Sequence, residues 1–374
     1  MSAFGKNIYV TRPTMPPLNE FVGFLKDIWE RRQLTNKGKY HQELEEALKE
    51  HLGVKYISLF CNGTLALMTA LEALRITGEV ITTPYSFVAS THALCWNNIK
   101  PVFCDIEPDY MNIDAEKIEA LITPRTTAIL PVHVYGNPCN VKKIAKIAKK
   151  YELKIIYDAC HAFGVKIDNK SILNYGDLSV LSFHATKVYN TFEGGAIICH
   201  DQRMKEQIDF LKNFGFANET TVIDIGINAK MNEIQAAYGL LQLKYIDKAI
   251  EKRRRIAKLY RQGLKGIKGV RFLSDIKGVR HNYSNFPIFI NNDKFTRSRN
   301  EIYEALKKHH IYGRRYFYPL ISQFPAYKSL PSAAIGRLPV AERITKEVLC
   351  LPIYPDLNNK DVLAIVNLVK SLLS

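Results

Sequence analysis

From about Leu44 to Ile198 the chain alternates short apolar runs with amphipathic stretches, and this alternation limits the fold more than any other feature. Tyr56 to Phe60, Glu79 to Thr83, Lys100 to Cys104, Ala128 to Val132 and Lys154 to Tyr157 read as strands. Thr64 to Leu74, Ser90 to Trp96, Ala115 to Ile122 and Val141 to Tyr151 read as helices between them, and Leu67, Ala70, Leu71 and Leu74 share one face. A further apolar run enters a polar cluster at Ser182 to Lys187, and the pattern resumes at Gly194 to Ile198. Strands alternating with helices are βαβ units, which build a mostly parallel sheet covered on both faces. In such sheets ligands collect at the carboxyl ends of the strands.

Past Ile198 the texture changes. Helical patterns cover Asp201 to Phe210, Met231 to Leu243 and, at greater length, Tyr245 to Gly263. Val270 to Phe272 and Ser284 to Ile290 then read as strands, and Ser298 to His309 and Lys360 to Leu373 as helices. The fold expected is α/β over residues 1–245, with an N-terminal arm, followed by a smaller α+β domain over residues 246–374. A chain of 374 residues, 47% hydrophobic, can bury more than one core. No stretch reaches the ~20 apolar residues that span a bilayer, and Met1 to Asn7 lacks the apolar run of a secretory signal. Cysteines 61, 95, 104, 139, 160, 199 and 350 are scattered and never form a C-x-x-C pair. They read as reduced thiols of a cytoplasmic protein, neither disulfides nor metal ligands. The net charge of +16 fits nucleic acid, an anionic small substrate or a solvated surface. The densest cluster, Lys252 to Arg255, lies in a helical pattern without a nucleic-acid signature, so neither nucleic acid nor membrane is expected as a partner.

Lys187 ends a strand run among hydroxyls and ahead of a glycine pair; alone it reads as a solvated loop lysine or as an amine held to attack an aldehyde. Asp158 ends the strand Lys154 to Tyr157; a carboxylate there could cap a helix, bind a metal, or pair with a cationic ring nitrogen. An imine-forming lysine and a carboxylate that keeps a pyridine nitrogen protonated are two requirements of a pyridoxal phosphate enzyme. A third is a phosphate cradle. Asn62-Gly63-Thr64 forms a strand-to-helix turn whose amides and dipole suit a phosphate, with Ser182 able to add a hydroxyl. It is neither G-x-G-x-x-G nor a P-loop. Phe87, in the loop after the second strand, could stack on a flat cofactor or belong to the core.

In this order the pieces resemble the DegT/DnrJ/EryC1/StrS family of sugar aminotransferases, of the aspartate aminotransferase-like fold type I group. The resemblance runs through Asn62-Gly63-Thr64, Pro84 to Ala89, Pro131 to Gly136, Asp158 to Gly164, Ser182 to Ala196, Asn228 to Ala237, Pro325 to Tyr327 and Leu351 to Pro355. It implies pyridoxal 5′-phosphate as cofactor, with Lys187 as Schiff-base lysine and proton shuttle and Asp158 on the pyridine nitrogen. It also implies Phe87 on the ring, Gly63, Thr64 and Ser182 on the phosphate, and Asn228 reaching the phosphate of a partner subunit in a homodimer. His161 stands where the family often has Gln, near the cofactor's phenolic oxygen. Ala185 replaces a common Pro, Asn190 to Glu193 replaces a Gly-containing approach, and Lys230 replaces a common Arg. The implied substrates are L-glutamate and a nucleotide-linked ketosugar. Arg314, Arg315 and Tyr318 are a candidate substrate wall or a surface loop. Leu34 to Asn36, Thr77 to Pro84 and Ser182 to Ala196 look most like the branch that aminates C4 of a dTDP-linked 6-deoxyketosugar, the alternatives being amination at C3 or a non-catalytic regulator that binds pyridoxal phosphate.

Overall fold

The computed structural model describes residues 6–291, 294–295 and 297–373. Its centre is a seven-stranded sheet in the order Tyr56–Phe60, Gly195–Cys199, Leu178–Ser182, Lys154–Asp158, Thr126–Leu130, Glu79–Thr82, Lys100–Phe103. The last five run parallel to one another. Gly195–Cys199 lies antiparallel to both of its neighbours, so Gly195 faces Phe60 on one side and Ser182 on the other. Phe60, Asp158, Ser182 and Gly195 therefore meet at one edge of the sheet.

Side chains along these strands alternate between two cores, as the two-residue period of a strand requires. Ile57, Leu59, Ile155, Tyr157, Ala196 and Ile198 join one cluster. Phe60, Ile156, Val180 and Ile197 join the other. Each flanking helix has a local reason to begin where it does. Asn62 accepts from Leu65 N at 2.9 Å to start Gly63–Ala73. Asn140 accepts from Lys143 N to start Val141–Lys150, which buries Val141, Ile144, Ile147 and Ala148 and turns lysines to solvent.

One expected helix is absent. Ala115 to Ile122 forms only a short 3-10 turn, Glu119–Leu121, although Ala115 and Ile118 are buried as the spacing requires. The bonds there span three residues, Lys117 N to Asp114 O and Leu121 N to Ile118 O. Pro124 favours an extended Thr123, and Thr123 leaves the turn to donate to Glu79 at 2.8 Å. Helices Leu18–Arg31, Lys39–Leu52 and Pro339–Glu347 and strand Val348–Leu351 lie outside the expected elements.

A separate core holds Ile256, Tyr260, Ile288, Leu306, Leu349 and Ile365 around the antiparallel strands Val270–Phe272, Phe286–Ile290 and Val348–Leu351. The arm joins this second unit. Ile8–Tyr9 pairs in parallel with Ile311–Tyr312, and Ile8 is buried in that core. Among the described residues no helix is long and apolar enough to cross a membrane.

Candidate active site

The loop that carries Lys187 leaves the sheet at Ser182 and returns at Gly195. Its base closes through Phe183 N to Gly194 O at 2.8 Å and Thr191 N to Phe183 O at 2.9 Å. Inside it, Tyr189 stacks on Phe163 at 4.4 Å and meets Phe183 edge-on at 4.9 Å. Buried Val188 and Tyr189 thus anchor the chain immediately after Lys187. The lysine backbone N–H donates to His184 O at 2.9 Å, completing a turn that projects the side chain over the strand ends.

Asp158 ends its strand buried. One carboxylate oxygen accepts from Cys160 N at 3.1 Å and the other from the Ser90 hydroxyl at 2.6 Å. Each oxygen keeps a lone pair for a further donor. Opposite, the turn Asn62-Gly63 is pressed against two strands. A Cβ on Gly195 would lie 2.7 Å from the Asn62 carbonyl carbon and oxygen, and one on Gly63 would lie 2.9 Å from Ser182 Cβ. The N-terminal amides of an 11-residue helix and the hydroxyls of Thr64 and Ser182 so gather on one wall.

These groups line one cavity of about 300 Å³, at the lower end of ordinary ligand pockets of about 300–1,000 Å³. Gly63, Thr64, Phe87, Asp158, His161, Ser182 and Lys187 all reach it. Phe87 keeps 60% of its surface exposed, so its ring is free to meet a ligand. Burial, and then the charge of Lys187, hold His161 well below the ordinary histidine range, so its ring is neutral. Burial, and then Asp158, push the neighbouring Cys160 thiol well up, which leaves it protonated.

The remaining residues singled out in the sequence lie elsewhere. Asn228 is exposed and outside the cavity of its own chain. Arg314 is exposed and bonds through its backbone to Cys350. Arg315 donates to Asn300 at 2.9 Å and stacks over Tyr303 and Tyr318. None of Arg314, Arg315 and Tyr318 is in the cavity lining, but Tyr316 and Phe317, between them, are. Lys230 donates to Asn213 at 2.7 Å and lies over the Phe214 ring.

Other lining groups carried no chemical signal in the sequence. Ser90 reads in the sequence only as the first residue of an expected helix. Asn282, Ser284 and Asn285 arrive from the second unit and Val10 and Thr11 from the arm, where only tertiary docking brings them in. Among the described residues no cluster of three His, Cys, Asp or Glu side chains could hold a metal.

The sequence model of the DegT/DnrJ/EryC1/StrS aminotransferase family matches residues 19–370. The chain belongs to that family. As a DegT/DnrJ/EryC1/StrS aminotransferase it is an enzyme whose cofactor is pyridoxal 5′-phosphate. It is 54% identical over 367 residues to the dTDP-4-amino-4,6-dideoxy-D-glucose transaminase of Escherichia coli, covering 97% of this chain and 98% of that one. The crystal structure of DesI in the presence of its TDP-sugar product superposes with a TM-score of 0.95 at 33% identity, over 99% of this aminotransferase and 94% of that chain. NtdA of Bacillus subtilis, solved with its bound cofactor PMP, superposes at 0.87 with 27% identity, over 95% and 82% of the two chains.

The donor set of the cavity suits this cofactor. The glycine-lined cradle admits an anion at a helix N-terminus where a side chain would block it, and a buried carboxylate and an amine face the same space.

Proposed function

We propose that this aminotransferase moves an amino group from L-glutamate to C4 of dTDP-4-dehydro-6-deoxyglucose, giving dTDP-4-amino-4,6-dideoxyglucose. The observation that carries the reading is the 54% identity to the E. coli enzyme over 97% of this chain. When bound, pyridoxal phosphate supplies an electron sink for the charge left as a proton leaves the amino-bearing carbon. The chain's own residues do the rest. The helix N-terminus at Gly63, with Thr64 and Ser182, would hold the phosphate. Asp158 would keep the ring nitrogen protonated, Phe87 would cover one face, and the Lys187 amine would carry the proton to and from the reacting carbon. Arg314, Arg315 and Tyr318 border the Tyr316-Phe317 wall and are proposed to meet the nucleotide part of the substrate.

The active form is proposed to be a homodimer that shares its sites. Support comes from a surface hairpin closed by Phe216 and Val222. It exposes Phe214, Phe216, Val222 and Ile223, and Ile225 at 89%, beside the exposed Asn228. Contiguous apolar surface of this kind is usually covered. The division into 1–245 and 246–374 accords with the separate core built around Ile256 to Leu373. A cytoplasmic location accords with cysteines that are all free thiols.

Incubation with glutamate and dTDP-4-dehydro-6-deoxyglucose, followed by NMR of the product, tests the reading directly. An amino group at C3, or no product, would overturn it. Borohydride reduction should leave a pyridoxyl label on Lys187. Lys187→Ala is expected to lower turnover by about 10³-fold or more.

A further inference from the structure

Tyr135 adopts a left-handed backbone conformation, with φ 56° and ψ 12°, which a bulky residue rarely takes. In that conformation its N–H donates to Nδ1 of His161 at 3.3 Å. A ring nitrogen that accepts carries no proton, so a neutral His161 must carry its proton on Nε2. The backbone of His161 is tied down as well, since Asn282 Nδ2 donates to its carbonyl at 2.8 Å.

The plane of the ring is set from the second unit. Phe317 lies parallel to His161, with centroids 6.0 Å apart and 6° between planes. Phe317 is itself seated with unusual care. Its ring is parallel to Tyr135 at 6.2 Å and meets Tyr85 edge-on at 5.5 Å. Its carbonyl accepts from the Thr345 hydroxyl. The Tyr316 carbonyl before it accepts from the hydroxyls of both Tyr85 and Tyr135. Phe317 thus reaches the cavity wall as a fixed plate against a fixed histidine.

We infer that Phe317 is a positioning residue: together with the Tyr135 amide it holds His161 as a neutral ring presenting Nε2–H to the cavity. A proton on Nε2 is offered to an oxygen acceptor, whereas the other tautomer would aim a lone pair at it. The inference rests on the proposed function only for the identity of that acceptor, the cofactor's phenolic oxygen. The tautomer and its support stand on this chain's geometry.

The test uses the holoenzyme labelled with ¹⁵N at its histidine rings, His161 being assigned by the signal lost in His161→Gln. The expected spectrum shows His161 protonated at Nε2 and bare at Nδ1. Phe317→Leu keeps the wall apolar but removes the plate. It should broaden the His161 signals or split them between tautomers, and shift the absorption maximum of the bound cofactor with its stoichiometry unchanged. A fall in kcat of about 10- to 100-fold is expected with little change in KM. Phe317→Tyr should restore all three readouts. Tyr135→Phe, which removes one hydroxyl from the Tyr316 carbonyl and from the Tyr85 hydroxyl, should give a weaker form of the same changes. A wild-type His161 protonated on Nδ1, or on both nitrogens, overturns the inference, as does a Phe317→Leu spectrum identical to wild type. The expected tautomer in a protein that fails to aminate the proposed sugar would support the inference and refute the substrate reading.

Discussion

At the scale of the residue, Gly195 shows how little room the site leaves. The groups its missing Cβ would strike are backbone atoms of Asn62 and Gly63, 2.7–2.8 Å away, and backbone cannot swing aside. Gly195→Ala is therefore expected to displace the turn, cost about 1–3 kcal/mol of stability and weaken cofactor binding. Thermal unfolding and cofactor titration measure the two effects; wild-type affinity would separate the turn from the phosphate seat. At the opposite end of the sheet, Glu79 is buried among Thr123, Arg125 and Lys100. Burial pushes its carboxyl up, but the hydrogen bonds from these partners outweigh burial and bring it from 4.5 down to about 2. A folded carboxylate of lowered pKa stabilises fully above its unfolded value, so this contribution is whole above about pH 4.5 and fades toward about pH 2. Glu79→Gln should flatten that part of the acid-stability curve measured by urea unfolding at each pH.

At the scale of the element, helix caps separate what local sequence can specify from what it cannot. The helices beginning at Gly63, Val141 and Arg299 carry Asn or Ser caps in the chain itself. Lys39–Leu52 has no such signal, because its cap comes from far along the sequence. The Glu233 carboxylate accepts from Tyr40 N at 3.0 Å and His41 N at 2.8 Å, and pairs with Arg31. Gly38 leaves the space for it, since a Cβ there would lie 2.5 Å from the Glu233 carboxyl carbon. Glu233→Ala should leave those amides buried and unpaired and cost about 2–4 kcal/mol, read as a lower urea midpoint. Glu233→Gln should lose less. The other elements outside the expected pattern have different causes. Helix Pro339–Glu347 runs into strand Val348–Leu351 without a turn residue between them. Leu18–Arg31 sets Phe21, Phe24 and Ile28 against the first core but leaves Leu18, Val22 and Trp29 exposed, so apolar residues fall on two faces and blur the helical period.

At the scale of the whole molecule, the site divides by how its parts arrive. Lys187, Asp158, Ser182, Gly63, Thr64 and Phe87 were legible because they sit at or just beyond strand ends, and strands running in one direction carry those ends to the same side of the sheet. Tyr316, Phe317, Asn282 and Ser284 were not, because local sequence holds no address for the docking of a second unit. The proposed sharing between subunits is open to a complementation test. Lys187→Ala and Asn228→Asp protomers should each be nearly inactive alone. If each site takes Lys187 from one protomer and Asn228 from the other, half of a randomly mixed population is heterodimeric and each heterodimer has one intact site. Mixing and re-equilibrating should then restore about a quarter of wild-type activity; no recovery would place Asn228 outside the shared site.

The pairing of Ile8–Tyr9 with Ile311–Tyr312 also sets a timetable. A ribosome adding about 5–20 residues per second needs about 15–60 s to travel from one partner to the other. For that interval Val10 and Thr11, which line the cavity, have no strand to hold them in place. The sheet and its lysine can be ready early, but the pocket is finished only when nearly all of the chain has emerged.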